Sequence, residues 1–161
     1  MILFFAPKMK EGGWGRIIQI SSAGGERVPA NYMPFYASAK AALLIATKSL
    51  AIELGGTGIT VNAITPGPVA TDTFKQQYIE EARQAGRSTE WKDVLEDYIE
   101  RYMQNPPVRK FPTTEDIGAL TAFLCSPYAD TISGSSYLID SGFSLTGFKQ
   151  YQPQTEMVEN G

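Results

Sequence analysis

The 161-residue sequence contains no histidine and a single cysteine, Cys125. Without histidine the usual neutral-pH base and the commonest metal ligand are both missing. Acid–base chemistry must therefore rest on tyrosine, lysine or carboxylates, and no metal site is expected. One cysteine can close no internal disulfide, which fits a reducing cytosol and a cytoplasmic location. Its setting, Ala122-Phe123-Leu124-Cys125, reads as inert packing. No basic block stands out: 14 Lys plus Arg face 17 Asp plus Glu, for a net charge of −3, which argues against a nucleic-acid partner. No apolar run approaches the length of a membrane-spanning helix, and the opening Met1–Ala6 lacks the basic flank and cleavage site of a signal peptide. No membrane partner is expected.

What is present is ordinary globular material. Hydrophobic residues make up 43% and charged residues 19%, enough for one domain with its own core. Gly12-Gly13-Trp14-Gly15 reads as a turn feeding a short β-branched run, Arg16–Ile20, typical of a buried strand. A helix from about Phe35 to Leu54 is rich in Ala and Leu, with Lys40, Lys48 and Glu53 its only charges. It is apolar on more than one face, as a helix packed on a sheet and against another helix or subunit would be. Gly55-Gly56-Thr57-Gly58 stops it. Ile59–Ile64 is a second strand, broken by Thr65-Pro66-Gly67-Pro68. From Thr73 to about Gln104 the chain is polar and helical, interrupted near Gly86–Ser88. Thr114-Glu115-Asp116 is expected to cap a helix running to about Cys125. Ser136–Asp140 is a third strand. Residues 1–148 form the folded unit, and 149–161 a polar tail. Strands alternating with helices of this length imply parallel β-α-β units. Three strands are few for a parallel sheet, so the pattern reads as part of a larger one.

One spacing carries chemistry. Tyr36 and Lys40 lie four residues apart at the start of a helix, hence on one face. A free phenol, with a pKa near ~10, is a poor base at neutral pH. A neighbouring ammonium favours the phenolate and makes the group able to exchange a proton with an alcohol or carbonyl oxygen. Ser22, at the end of the preceding strand, could hydrogen-bond that same oxygen. Taken alone, the pair means little and is better read as an exposed Tyr and Lys on a helix surface.

Other segments agree with the first reading, and in order. Gly15–Ser22, Tyr36-x-x-x-Lys40, Ile59–Gly67, Pro68-Val69-Ala70-Thr71-Asp72, Phe111–Ile117, and Ser133-Gly134 ahead of a strand ending at Asp140-Ser141-Gly142 together resemble the short-chain dehydrogenase/reductase family over roughly residues 8–146. The resemblance implies an α/β fold, the C-terminal part of a doubly wound, parallel-sheet Rossmann-type domain. It implies an NAD(P)-dependent oxidoreductase moving hydride between nicotinamide and a small alcohol or carbonyl substrate. Tyr36 would be the acid/base. Lys40 would tune it and bind the nicotinamide ribose. Ser22 would hold the substrate oxygen, with Ser21 the alternative, because the Ser22–Tyr36 gap is one residue longer than is common, an insertion assigned to the Pro29 loop. Pro66, Gly67, Val69 and Thr71 would line the cofactor, NAD or NADP, and the section 73–104 would be a substrate lid or else a plain solvated helical pair. The full-length form would be a homo-oligomer.

The departures from the family pattern are equally specific. The glycine-rich phosphate turn after a first strand is absent: Gly12–Gly15 precedes a strand, and Gly24-Gly25 lacks the spacing. Met1–Met9 reads as the end of a helix, so the N-terminal strands are expected to be missing, as in a fragment, and dinucleotide binding by this chain alone is expected to be very weak. A non-catalytic oligomerisation or interaction module is the alternative function.

Overall fold

The computed structural model describes residues 2–27, 33–103 and 105–146. The Pro29 insertion and the 149–161 tail lie outside the described residues. The chain opens with α1 (Ile2–Glu11), and a glycine turn leads into β1 (Gly15–Ile20). A four-residue helix, α2 (Ala23–Glu26), precedes the long α3 (Pro34–Glu53), which returns to β2 (Ile59–Pro66). Two helices follow, α4 (Asp72–Gln84) and α5 (Trp91–Tyr102), then α6 (Thr114–Leu124), a 3-10 turn at Pro127–Ala129, β3 (Ser136–Ile139) and α7 (Phe143–Thr146).

The strands lie in the order β1-β2-β3 and all run parallel. Gly15 to Ile20 pair with Ile59 to Ile64 without a slip, and Ala63 to Pro66 pair with Ser136 to Ile139. Being central, β2 is buried along nearly its whole length, which is why Ile59-Thr60-Val61-Asn62-Ala63-Ile64 reads as an almost unbroken buried run. Its two faces serve different helices. Ile59 and Val61 join Ile17, Ala6, Leu50 and Leu54 under α1 and α3. Ile64 joins Ile18, Leu120, Leu124 and Ile139 under α6. The sheet is thus covered on both sides. Asn62, fully buried, donates to the Ile132 carbonyl at 2.7 Å and accepts from the Ser135 amide at 3.1 Å, tying β2 to the approach to β3.

At the opposite end from the strands' carboxyl termini, two turns meet. Gly58 has φ +77°, and a Cβ there would fall 1.9 Å from the Gly13 carbonyl oxygen, so only glycine fits. Gly15 donates to the Gly58 carbonyl at 3.2 Å, which seats β1 against β2 at its first residue.

Two expectations need correction. The cap of α6 is Thr113, one residue earlier than expected: its hydroxyl accepts from the Asp116 amide at 3.2 Å, and the Asp116 carboxylate accepts from the Thr113 amide at 2.8 Å, a complete capping box. The adjacent threonines made the choice ambiguous in sequence, and the position of the acidic partner resolves it. Second, an apolar segment of membrane-spanning length does exist. By length and composition α3 is long and apolar enough to cross a membrane, because only Lys40, Lys48 and Glu53 interrupt twenty residues. In this fold one stripe of α3 packs on the sheet through Leu50, Ala51 and buried Thr47.

Candidate active site

The carboxyl ends of β1 and β2 bring together residues that are far apart in sequence. Lys40, in the second turn of α3, donates from Nζ to the Ile20 carbonyl at 2.9 Å. Its ammonium also lies 5.7 Å from the centre of the Tyr36 ring, as the four-residue spacing requires. Tyr36 itself is partly exposed. The lysine is therefore bonded to the last residue of β1 and stands over the Tyr36 ring.

The two serines that follow β1 have different surroundings. Ser21 is buried, and its hydroxyl donates to the Lys40 carbonyl at 2.7 Å while its amide donates to Ile64 at 2.8 Å. That hydroxyl is committed to joining β1 to α3. Ser22 is half-buried and caps α2, accepting from the Gly24 amide at 3.2 Å. A hydroxyl that accepts in this way keeps its proton to donate elsewhere. Gly25 explains how α2 comes so close to α3: a Cβ there would lie 2.7 Å from the Lys40 carbonyl carbon.

Beyond β2, Pro66 ends the strand and Gly67 donates to Ile139 at 3.1 Å, keeping the loop against β3. The Thr71 amide donates to the Val69 carbonyl at 2.8 Å, and the Thr71 hydroxyl accepts from the Phe74 amide at 3.1 Å, capping α4. The segment 66–71 thus leaves the carboxyl end of the sheet and enters α4. Asp140, buried after β3, accepts from Gly142 at 2.9 Å and Ser144 at 2.7 Å, which fixes the start of α7.

The polar stretch read as either a lid or a solvated pair has an aromatic seam. Phe74 and Tyr98 pack edge-on against Phe111, with ring centres 5.4 and 5.2 Å apart, and Phe111 packs on Phe143 at 5.2 Å. These contacts fasten α4 and α5 to the region after β3. Tyr98 lies 4.8 Å from Tyr78, ring centre to ring centre. Burial raises the Tyr98 phenol well above the usual tyrosine range, with charge repulsion from Tyr78 adding to it. Two residues near the site went unnoticed in the sequence. Glu26 accepts from the buried Thr65 hydroxyl at 2.9 Å, and Arg27 donates to the Ser144 carbonyl. A charged pair directly after Ala23-Gly24-Gly25 was the available signal.

A three-stranded parallel sheet, covered by helices on both faces and carrying a polar cluster beyond its strand ends, is the architecture of a doubly wound α/β domain in part. A family model described as Enoyl-(Acyl carrier protein) reductase matches residues 1–144. The chain is 35% identical over 138 residues to a D-beta-hydroxybutyrate dehydrogenase of Rhizobium meliloti (strain 1021), covering 86% of this chain and 51% of the relative. It is 33% identical over 137 residues to a 7alpha-hydroxysteroid dehydrogenase of Escherichia coli (strain K12), covering 85% and 47%. The structure of an L-sorbose reductase from Gluconobacter frateurii, complexed with NADPH and L-sorbose, superimposes with a TM-score of 0.76 at 30% identity, over 88% of this chain and 52% of that one. The chain belongs to the short-chain dehydrogenase/reductase family. It spans about half the length of the curated relatives it matches.

Proposed function

We propose that this chain carries the proton-handling part of an NAD(P)-dependent oxidoreductase site, acting on a small alcohol or carbonyl substrate. The supporting observation is the Lys40 ammonium, held at 2.9 Å on the Ile20 carbonyl and 5.7 Å from the Tyr36 ring, beside the strand end that carries Ser22. Tyr36 gives a proton to the substrate oxygen or takes one from it. Lys40 stabilises negative charge on the phenol oxygen during that exchange. Ser22, its lone pair engaged by Gly24, donates its own proton to the same substrate oxygen and orients it.

The donor set fits the nicotinamide end of a dinucleotide. An ammonium has three protons, and Lys40 spends one on Ile20, leaving two for ribose hydroxyls. The Thr71 hydroxyl accepts within the chain and keeps its proton for a carboxamide or phosphate oxygen. Pro66, Gly67 and Val69 would line the ring, with α4 and α5 covering the substrate. When bound, the nicotinamide supplies or receives the hydride. The test is turnover of this chain with NADH or NADPH and a panel of small ketones and hydroxy acids, followed by nicotinamide absorbance. Tyr36→Phe is expected to cut the rate by about 100-fold or more. A Tyr36→Phe protein as fast as the wild type would sink the reading.

A second reading has an observation of its own. Ile45 and Ile52, seven residues apart on α3, are 64% and 83% exposed, and Phe35 is exposed as well. Such a stripe supports pairing with a second copy of the chain. Sedimentation of the wild type against Ile52→Lys tests it: a dimer that the charge dissolves supports pairing, and a wild-type monomer removes it.

A further inference from the structure

Ser22 is delivered by a helix too short to hold itself. α2 has four residues and none of them is buried, so neither helical cooperativity nor apolar packing fixes its orientation. Contacts with neighbouring elements must do so. One is the close seat of Gly25 on the Lys40 backbone, and another is Arg27 donating to Ser144 in α7. The third is Glu26, whose carboxylate accepts from the Thr65 hydroxyl at 2.9 Å. Thr65 is fully buried and immediately precedes Pro66-Gly67, so its hydroxyl has no recourse to solvent. A bond from a buried hydroxyl to a carboxylate is stronger than a neutral one.

We propose that Glu26 is a positioning residue for Ser22, binding the turn that presents the Ser22 hydroxyl to the end of β2, from which the 66–71 loop departs. The proposal rests on the site reading given above. Through Thr65 this carboxylate adds to the Ser21–Ile64 backbone bond a second link between the turn that carries the substrate-orienting hydroxyl and the end of β2. Glu26 acts only through these neighbours.

The test uses the whole chain and two readouts. The first is amide hydrogen exchange at Gly25 and Arg27, whose N–H groups donate to Ser22 and Ala23 at 2.9 and 3.1 Å. Glu26→Ala is expected to speed exchange there about 10-fold, while amides in the middle of α3 keep their protection. Glu26→Gln, which retains a carbonyl acceptor, is expected to stay close to wild type. Thr65→Val removes the donor instead, and should loosen the same two amides even if Glu26→Ala proves insoluble. The second readout is the split between kcat and KM. Glu26→Ala should lower kcat about 10-fold with little change in dinucleotide KM, and Glu26→Gln should restore it. Unchanged exchange in Glu26→Ala and Thr65→Val overturns the tie. Faster exchange with an undiminished kcat overturns the positioning role. An inactive wild-type chain fails the site reading, and the positioning role with it, while exchange still decides whether the tie exists.

Discussion

Lys40 and Ser21 are joined where β1 ends: the Ser21 hydroxyl donates to the Lys40 carbonyl at 2.7 Å, and the Lys40 ammonium donates to the carbonyl of the preceding residue, Ile20, at 2.9 Å. The proposed proton-handling residue is thus also a fastener between strand and helix. Lys40→Met is expected to lose about 0.5–1.5 kcal/mol of stability, because this charged bond is open to solvent. Ser21→Ala should also lose stability, and the double variant should fall short of the sum, because the two bonds share one junction. Urea midpoints at constant slope measure all three. Strict additivity would show that the bonds act separately.

The Tyr98 phenol gives the fold an alkaline limit. Its protonated form is favoured in the folded chain, chiefly by burial, so the folded value lies above the unfolded one. That stabilisation is complete below the unfolded value of about 10 and is lost as the pH rises past it. Melting temperature should therefore fall steeply above about pH 10, and Tyr98→Phe should fall less steeply over the same interval. Parallel curves for the two proteins would rule Tyr98 out as the cause.

The capping box predicts behaviour at the other end of the scale. Hydrogen bonds from the Thr113 amide and then its hydroxyl hold the Asp116 carboxyl below the usual aspartate range. The folded value is depressed, so its contribution is present above the ordinary value and disappears as pH falls through the lowered one. Carboxyl-detected NMR should place the Asp116 midpoint below that of an unstructured aspartate. Thr113→Ala removes the hydroxyl but keeps the amide, so it should raise the midpoint only part of the way and cost about 1 kcal/mol. A wild-type midpoint at the ordinary value would refute the cap.

Much of this architecture was legible in one sequence, for local reasons. Arg16–Ile20 and Ile59–Ile64 are β-branched runs bounded by glycine turns, and the structure pairs those same segments. The Tyr36–Lys40 spacing fixes a shared helical face before any tertiary contact is known. What escaped were contacts across the chain. Glu26 meets Thr65, and Arg27 meets Ser144, only because α2 lies over the strand ends. The aromatic seam of Phe74, Tyr98, Phe111 and Phe143 was hidden because its members come from four segments, two of them polar on average. α2 itself, with two glycines in four residues, has no helical pattern to read.

Thr60 is a place where this sequence is not at its stability optimum. It is only 5% exposed, and its hydroxyl finds no hydrogen-bond partner among the described residues. Thr60→Val keeps the shape and removes the unpaired group, so stability should hold or rise by up to about 1 kcal/mol. A loss of that size in chemical denaturation would mean that the hydroxyl is satisfied after all.

The contact of Gly58 with Gly13 makes the rim far from the site a datum for the whole ladder. Strand residues alternate sides, so a displacement of one position would turn Arg16 toward α3 and Ile17 toward α6, and would carry Gln19 away from its bond to Thr47. Two bare backbones touching at one end thus decide which side chains arrive at the other.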